Sequence, residues 1–465
     1  MKKRILSLLL AALLVAVILT GCSGGTEKSS STGEESSSSQ NGESGDAESS
    51  SQAATPEIEP CTITYWEMAW GPAETHEAAT KKVVDQFNAE NTNGITVDMQ
   101  MIPWEGYYQT FLTAVTSGAA PDVATGATPQ PIQYAVMGES LDLDPIMEQW
   151  EAEDSPVLTE ISQDLWDFFK YDGKQYGIAF GLDPKTINYR TDFFEEAGIT
   201  ELPTTWDEFA DTLRTLKEKF PEKIPFAFAC QDSTCNHIMS VFLASNETGF
   251  VTEDLQPNFS SKEGLEVLNF FKLLYDEELA SRGAAGYAEA DVQKLYMSGE
   301  CVVWGGAAPN IVDGTELAEV TGILPPLTGP SADKGEYIIC PNGIQGFSQS
   351  ENPDAARAFI KWWTENNLSV FTEGKQGNFP ARSSYYSDPY YTENQLKIDI
   401  YNNCVSTAFS MIYPVVTLYP QFSQLEGEQT YGSPAREIMT GEDPAEVAAR
   451  YDAEIQKVLD EYADE

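Results

Sequence analysis

Tryptophans and carboxylates crowd the points where strand-like runs give way to loops, a pairing suited to holding a small polar molecule. Trp66, Glu67 and Trp70 fall together at the end of the run Cys61-Thr-Ile-Thr-Tyr-Trp66. Asp183 sits in Phe180-Gly-Leu-Asp-Pro-Lys185, and Asp232 and His237 follow Phe226-Ala-Phe-Ala229. Trp304 precedes Gly305 and Gly306, and Arg382 closes Gly377-Asn-Phe-Pro-Ala-Arg382. A flat indole covers an apolar face, an ionised carboxylate accepts paired hydrogen bonds, and arginine offers five donors. The two glycines let another group approach the backbone closely. Covalent chemistry has less support. No Gly-x-Ser-x-Gly elbow, P-loop or His-Glu-x-x-His occurs, and neither histidine, His76 or His237, pairs with a nucleophile in a known pattern. The cysteine spacing matches no zinc pattern, so neither a metal nor a cofactor is expected.

These residues depend on an alternation of strands and helices. After the first strand, Gly71-Pro72 stops regular structure, and Ala79, Val83, Val84 and Phe87 recur at helical spacing over 74–88. Residues 95–102 alternate as a strand, 104–117 form a helix, and Pro121-Asp-Val-Ala124 leads into the loop 125–130. The second half repeats the grammar: helices over 203–219, 262–275 and 291–297, and strands over 226–229 and 301–304. Asn352-Pro353 and Asp443-Pro444 start two further helices. Such alternation predicts an α/β fold with a largely parallel sheet, whose ligands lie beyond the carboxyl ends of the strands. Residues 66–70 and 125–130 are therefore expected on one side of a binding site. Trp206, Trp362 and Trp363 lie on helical faces and are assigned to the core. Cys230 and Cys235 could bridge in an exported protein, whereas Cys61, Cys301, Cys340 and Cys404 read as buried thiols.

The first fifty residues say where the chain goes. Lys2, Lys3 and Arg4 precede an apolar run from Leu8 to Leu19, too short for a bilayer, which takes about 20 apolar residues. The run ends in Leu19-Thr-Gly-Cys22, which resembles the bacterial lipobox and implies that Cys22 becomes a lipidated N-terminus after removal of residues 1–21. From Ser23 to Gln52 there is no aromatic or branched aliphatic residue, so residues 22–59 read as a lipidated start and a disordered tether. The formal charge of −46, from 73 acidic against 27 basic residues, excludes nucleic acid as a partner and leaves the lipid as the membrane contact.

Several segments, taken in order, resemble the extracellular solute-binding proteins of ABC importers, the family containing maltose-binding protein. They are Ser117-Gly-Ala-Ala-Pro-Asp-Val123, Tyr171-Asp-Gly-Lys-Gln-Tyr-Gly177, Leu202-Pro-Thr-Thr-Trp-Asp-Glu-Phe209, Met297-Ser-Gly-Glu-Cys301, Asn352-Pro-Asp-Ala-Ala-Arg357 and Gly377-Asn-Phe-Pro-Ala-Arg382. The resemblance spans nearly the whole body. It implies a two-lobed periplasmic-binding-protein-like fold of type II, each lobe a mainly parallel sheet flanked by helices, with three crossings near 180–185, 327–337 and Pro380. Lobe one would be 60–180 with 335–380, and lobe two 183–328 with 382–465. It also implies a monomer that captures a carbohydrate in the interlobe cleft, closes by a hinge, and delivers it to membrane permease subunits without catalysis.

Carbohydrate needs aromatic walls and a few placed polar groups. On that footing Trp66, Trp70 and Trp304 are expected to stack, Glu67 and Asp183 to accept hydroxyl hydrogen bonds, and Gly305 and Gly306 to admit the ligand. Asp232 and His237 either face the cleft or satisfy their own loop, and Arg382 either binds ligand or braces the hinge. Two alternatives stand: an exported glycoside hydrolase working through paired carboxylates, and a surface scaffold or adhesin.

Overall fold

The computed structural model describes residues 58–461; the signal segment, Cys22 and the Ser-rich run to Gln52 lie outside the described residues. Ten strands form one sheet. In chain order they are β1 (Cys61–Met68), β2 (Ile95–Ile102), β3 (Val123–Gly126), β4 (Ile178–Arg190), β5 (Ile224–Phe228), β6 (Cys301–Ala307), β7 (Thr321–Ile323), β8 (Ile338–Gly346), β9 (Phe379–Pro380) and β10 (Phe409–Ser410). The main path runs β2-β1-β3-β8-β4-β6-β5, with β7 and β9 added to β4 and β10 to β8.

Direction departs from the expectation of mainly parallel sheets. β1 is parallel to β2 and β3, and β5 to β6, but β8 is antiparallel to β3 and β4, and β4 to β6, β7 and β9. The reason is topological. βαβ crossovers make parallel neighbours within each half, whereas β4 and β8 enter each half from the other and run against the strands they meet.

The 13-residue strand β4 joins the halves. One of its edges pairs with β8 as far as Lys185 and then with β7 from Asn188. Its other edge pairs with β9 at Gly181 and Leu182, then with β6 from Lys185 onward. The partners on both edges therefore change around 183–187, the point at which a shared strand can bend with least disruption of its ladder. A Cβ on Gly181 would come within 3.0 Å of the Asn378 side chain, so the close packing of the third crossing against the first requires glycine there.

Helices cover both faces. We use α1 (Ala73–Glu90), α2 (Tyr107–Thr116), α3 (Gln130–Val136), α4 (Trp206–Lys219), α5 (Thr234–Ala244), α6 (Lys262–Asp276), α7 (Glu289–Met297), α8 (Pro353–Asn366), α9 (Phe422–Gly427) and α10 (Pro444–Glu461). Thr205 and Glu208 form a reciprocal capping box at the start of α4, which satisfies two orphan N–H groups and fixes Trp206 in the core. Proline opens α8 and α10, where its missing N–H has no helical partner to lose. Along α10, Val447, Tyr451, Ile455 and Val458 are buried at helical spacing, and each large apolar side chain removed from water contributes roughly 1.5–3 kcal/mol. A large apolar core runs through both halves, and a second cluster gathers around Trp304, Tyr296, Ile323, Phe379 and Ile400.

Cys230 and Cys235 are free and buried rather than bridged; the Cys235 thiol donates to the Gly432 carbonyl. Cys301, Cys340 and Cys404 are buried thiols, and Cys61 is half-buried. No helix among the described residues is long and apolar enough to cross a membrane.

Candidate ligand cleft

In the first half, the carboxyl ends of β1 and β2 deliver an aromatic array. Trp70 lies just past β1 and meets Trp104 edge-on at 4.8 Å and Phe180 at 5.4 Å, while its indole N–H donates to Thr125 Oγ1 at 3.2 Å. Trp104 also packs on Tyr107, at 5.1 Å, and stays 41% exposed, leaving indole surface open at the end of the sheet. Beside this array runs a chain of buried polar side chains. Thr128 donates to Asn342 (3.3 Å), Asn342 to Asn378 (3.3 Å) and Asn378 to Gln376 (3.2 Å), whose own Nε2 is buried with no partner. The chain ties the loop after β3 to β8 and to the segment entering β9. An unpaired buried amide is costly, and its natural remedy is a ligand or a water.

In the second half, charged groups surround Lys185. Its ammonium is buried and pairs with Asp183 at 2.6 Å, two residues earlier on the same face of β4. Burial works against that charge, but Asp183 outweighs it and holds the lysine pKa above its ordinary value. His237, in the first turns of α5, is held neutral by burial and by Lys185, and its Nδ1 is enclosed without a partner. Glu289 opens α7 and is half-buried; its Oε1 accepts from the Trp304 indole at 3.1 Å, and its Oε2 is enclosed and unpartnered. Burial raises its pKa to about 7, with Asp232 adding to the shift and Lys185 opposing it. Glu426 on α9 is also raised to about 7 by burial, against the opposing Tyr431 hydrogen bond and Lys185.

The halves touch above this floor. Ser423 of α9 donates to the Pro129 carbonyl at 3.4 Å, and the Tyr108 ring packs on Gly427. On the other side, Lys375 Nζ reaches Gly314, and Asn310 reaches Gly377.

The residues singled out from the sequence divide between this cleft and the core. Asp183 and His237 lie beside Lys185 and Gly306 lies against Glu289, whereas Trp70 is 7% exposed and belongs to the apolar core. Asp232 is turned onto its own surroundings, accepting from Thr234 and from the Glu289 N–H at 3.0 Å. Gly305 packs against Ile238 and Phe226, where a Cβ would crowd both, so its lack of a side chain serves packing. Glu67 departs from expectation because β1 continues two residues past Trp66. Strand alternation then turns its carboxylate inward, where it is fully buried and accepts from Tyr65, from Thr125 at 2.7 Å, and pairs with His76 at 2.9 Å. Trp66 points to the opposite face and packs edge-on against Phe111 at 5.2 Å. Trp304 is completely buried, beside Tyr296. Arg382 braces the first half: it pairs with Glu160 at 2.6 Å and donates to the carbonyls of Thr364 and Glu365 at the end of α8. Sequence reasoning missed Trp104, Lys185, Glu289 and Glu426. The i, i+2 spacing of Asp183 and Lys185 was available as a signal; nothing local marks the other three.

Residues 72–367 match the profile of the bacterial extracellular solute-binding proteins, and the chain belongs to that family. Among curated relatives, the diacetylchitobiose binding protein DasA of Streptomyces coelicolor is 24% identical over 417 residues, covering 86% of this chain and 90% of that one. The arabinooligosaccharide-binding protein of Halalkalibacterium halodurans is 23% identical, covering 71% of this chain and 74% of its own. A sugar transporter from Arthrobacter chlorophenolicus, solved with bound laminaribiose, shares the fold with a TM-score of 0.78 at 21% identity, covering 86% of this chain and 99% of that one. The two-lobed α/β architecture of solute-binding proteins is thus the architecture of this chain.

Proposed function

We propose that this protein captures a carbohydrate between its two halves and presents it, unaltered, to the permease subunits of an ABC importer. The observation that carries the reading is the shared strand β4: both edges change partners around 183–187, and buried polar groups without partners lie on either side of it. Relatives named for diacetylchitobiose and arabino-oligosaccharides support a sugar as the solute. The moving bodies would be 60–180 with 335–380 and 183–328 with 382–465. On this reading Trp104 stacks on the sugar, while Asp183, His237, Gln376 and Glu289 bond its hydroxyls; Glu67, Trp66, Trp70, Trp304 and Arg382 hold the walls in place. Binding rather than catalysis is the reading that the family supports, since its members are solute-binding proteins. The protein acts as a monomer, outside the cell, attached through lipid on Cys22.

A glycan panel read by thermal shift tests this directly. A solute that binds only the folded state raises the melting temperature in proportion to RT ln(1 + [L]/Kd), about 2.7 kcal/mol of stabilisation at a hundredfold excess over Kd. At least one mono- or oligosaccharide is expected to do so. A flat response to every glycan, with a rise for a peptide or an inorganic ion, would reject carbohydrate as the ligand.

A further inference from the structure

One carboxylate oxygen beside the crossing strand is enclosed without a partner. Lys185 is matched by Asp183 at 2.6 Å, Lys334 pairs with Glu336, and Arg382 is committed to Glu160. Asp232 is taken up by Thr234 and the Glu289 N–H, which leaves Glu289 and Glu426 without an ion pair. Glu289 is fixed rather than free to turn toward solvent: the indole N–H of Trp304 holds Oε1, and Oε2 sits over Gly306, where a Cβ would come within 2.8 Å. Gly306 has a φ of +153°, so the space over it is kept clear by a residue without a side chain. A second group points the same way. Tyr419, only 7% exposed, leaves its hydroxyl unpartnered near Glu426. At Glu289 Oε2 a sugar phosphate or uronate would meet a carboxylate oxygen, whereas an ammonium group would find a preset acceptor.

We propose that the cleft takes a solute bearing a protonated amine, an amino sugar, and that Glu289 Oε2 receives its ammonium. The inference rests on the carbohydrate reading above and narrows it. Around Glu289 the facing groups are Asp232 from the loop before α5, Lys185 from β4, Gln293 on its own helix and Trp304 from β6. Its pKa of about 7 reflects burial first, so the carboxylate is increasingly protonated as pH falls below 7. Preference for an amine is therefore present near neutrality and lost in acid.

Calorimetric titration of the purified full chain with matched pairs tests this: glucosamine and glucose, galactosamine and galactose, mannosamine and mannose, and the chitosan disaccharide and cellobiose. Within whichever pair binds, the amine is expected to bind at least tenfold tighter at pH 7, and to lose most of that advantage at pH 5.5. Glu289→Gln should close the difference at pH 7, lowering the amine's affinity by at least tenfold more than it lowers the hydroxyl partner's. Equal or tighter binding of the hydroxyl sugar would overturn the inference and leave the carbohydrate reading intact. Saturable binding by no pair, together with a flat glycan panel, would overturn both.

Discussion

Trp304 is enclosed on all sides, and its N–H restrains Glu289. Truncation would open a cavity and remove the nearer of the two side-chain donors to a half-buried carboxylate, leaving Gln293 at 3.4 Å. Trp304→Ala is therefore expected to cost about 3–5 kcal/mol of stability, measured as a lowered urea midpoint at unchanged slope. Wild-type stability with loss of sugar binding alone would instead put the indole at the ligand. Glu67 and Trp66 show how far a residue's role can be read without coordinates. The strand itself is evident from its β-formers, but the side a residue faces depends on where the strand ends. Two extra residues in β1 place Glu67 among Tyr65, Thr125 and His76, and the partner at Thr125 is 58 residues away. Trp70, just beyond the strand, packs against Trp104 and Phe180. The groups around Lys185 come from β4, α5, α7 and α9, and no spacing along the chain announces such a meeting.

At the scale of elements, local signals carried most of the secondary structure. The Thr205–Glu208 box, the prolines opening α8 and α10, and the glycine after α7 each punctuate a helix close to where periodicity places it. Strand direction was not legible, because a crossing strand's neighbours are chosen by long-range pairing and not by its own residues. β8 pairs with β3, β4 and β10, and β3 lies more than two hundred residues from it along the chain. The segment leading into β8 is tightly folded: a Cβ on Gly335 would overlap the Leu327 backbone, which cannot move as a side chain can. Gly335→Ala is therefore expected to destabilise the fold by more than about 1 kcal/mol. Chemical denaturation checks this, and a neutral or stabilising effect would mean that the second crossing is looser than its packing implies.

For the whole molecule, a formal charge of −46 opposes association with anionic lipid. On the proposed reading, membrane attachment rests on the thiol at Cys22. Cys22→Ala should move the protein from the membrane fraction to the medium with its melting temperature unchanged; persistent tight association would point to another anchor. The two-lobed family architecture, the shared strand β4 and the unpartnered polar groups along it lead to one central claim, that an intact sugar is held between the halves. Isothermal titration calorimetry with the strongest glycan of the panel tests it most directly. The account predicts one saturable site, heats that return to baseline after each injection, and a negative heat-capacity change from the apolar surface closed over on binding. A continuing heat flow that grows with added sugar would reveal turnover, and an absence of saturable heat for every glycan would contradict capture itself.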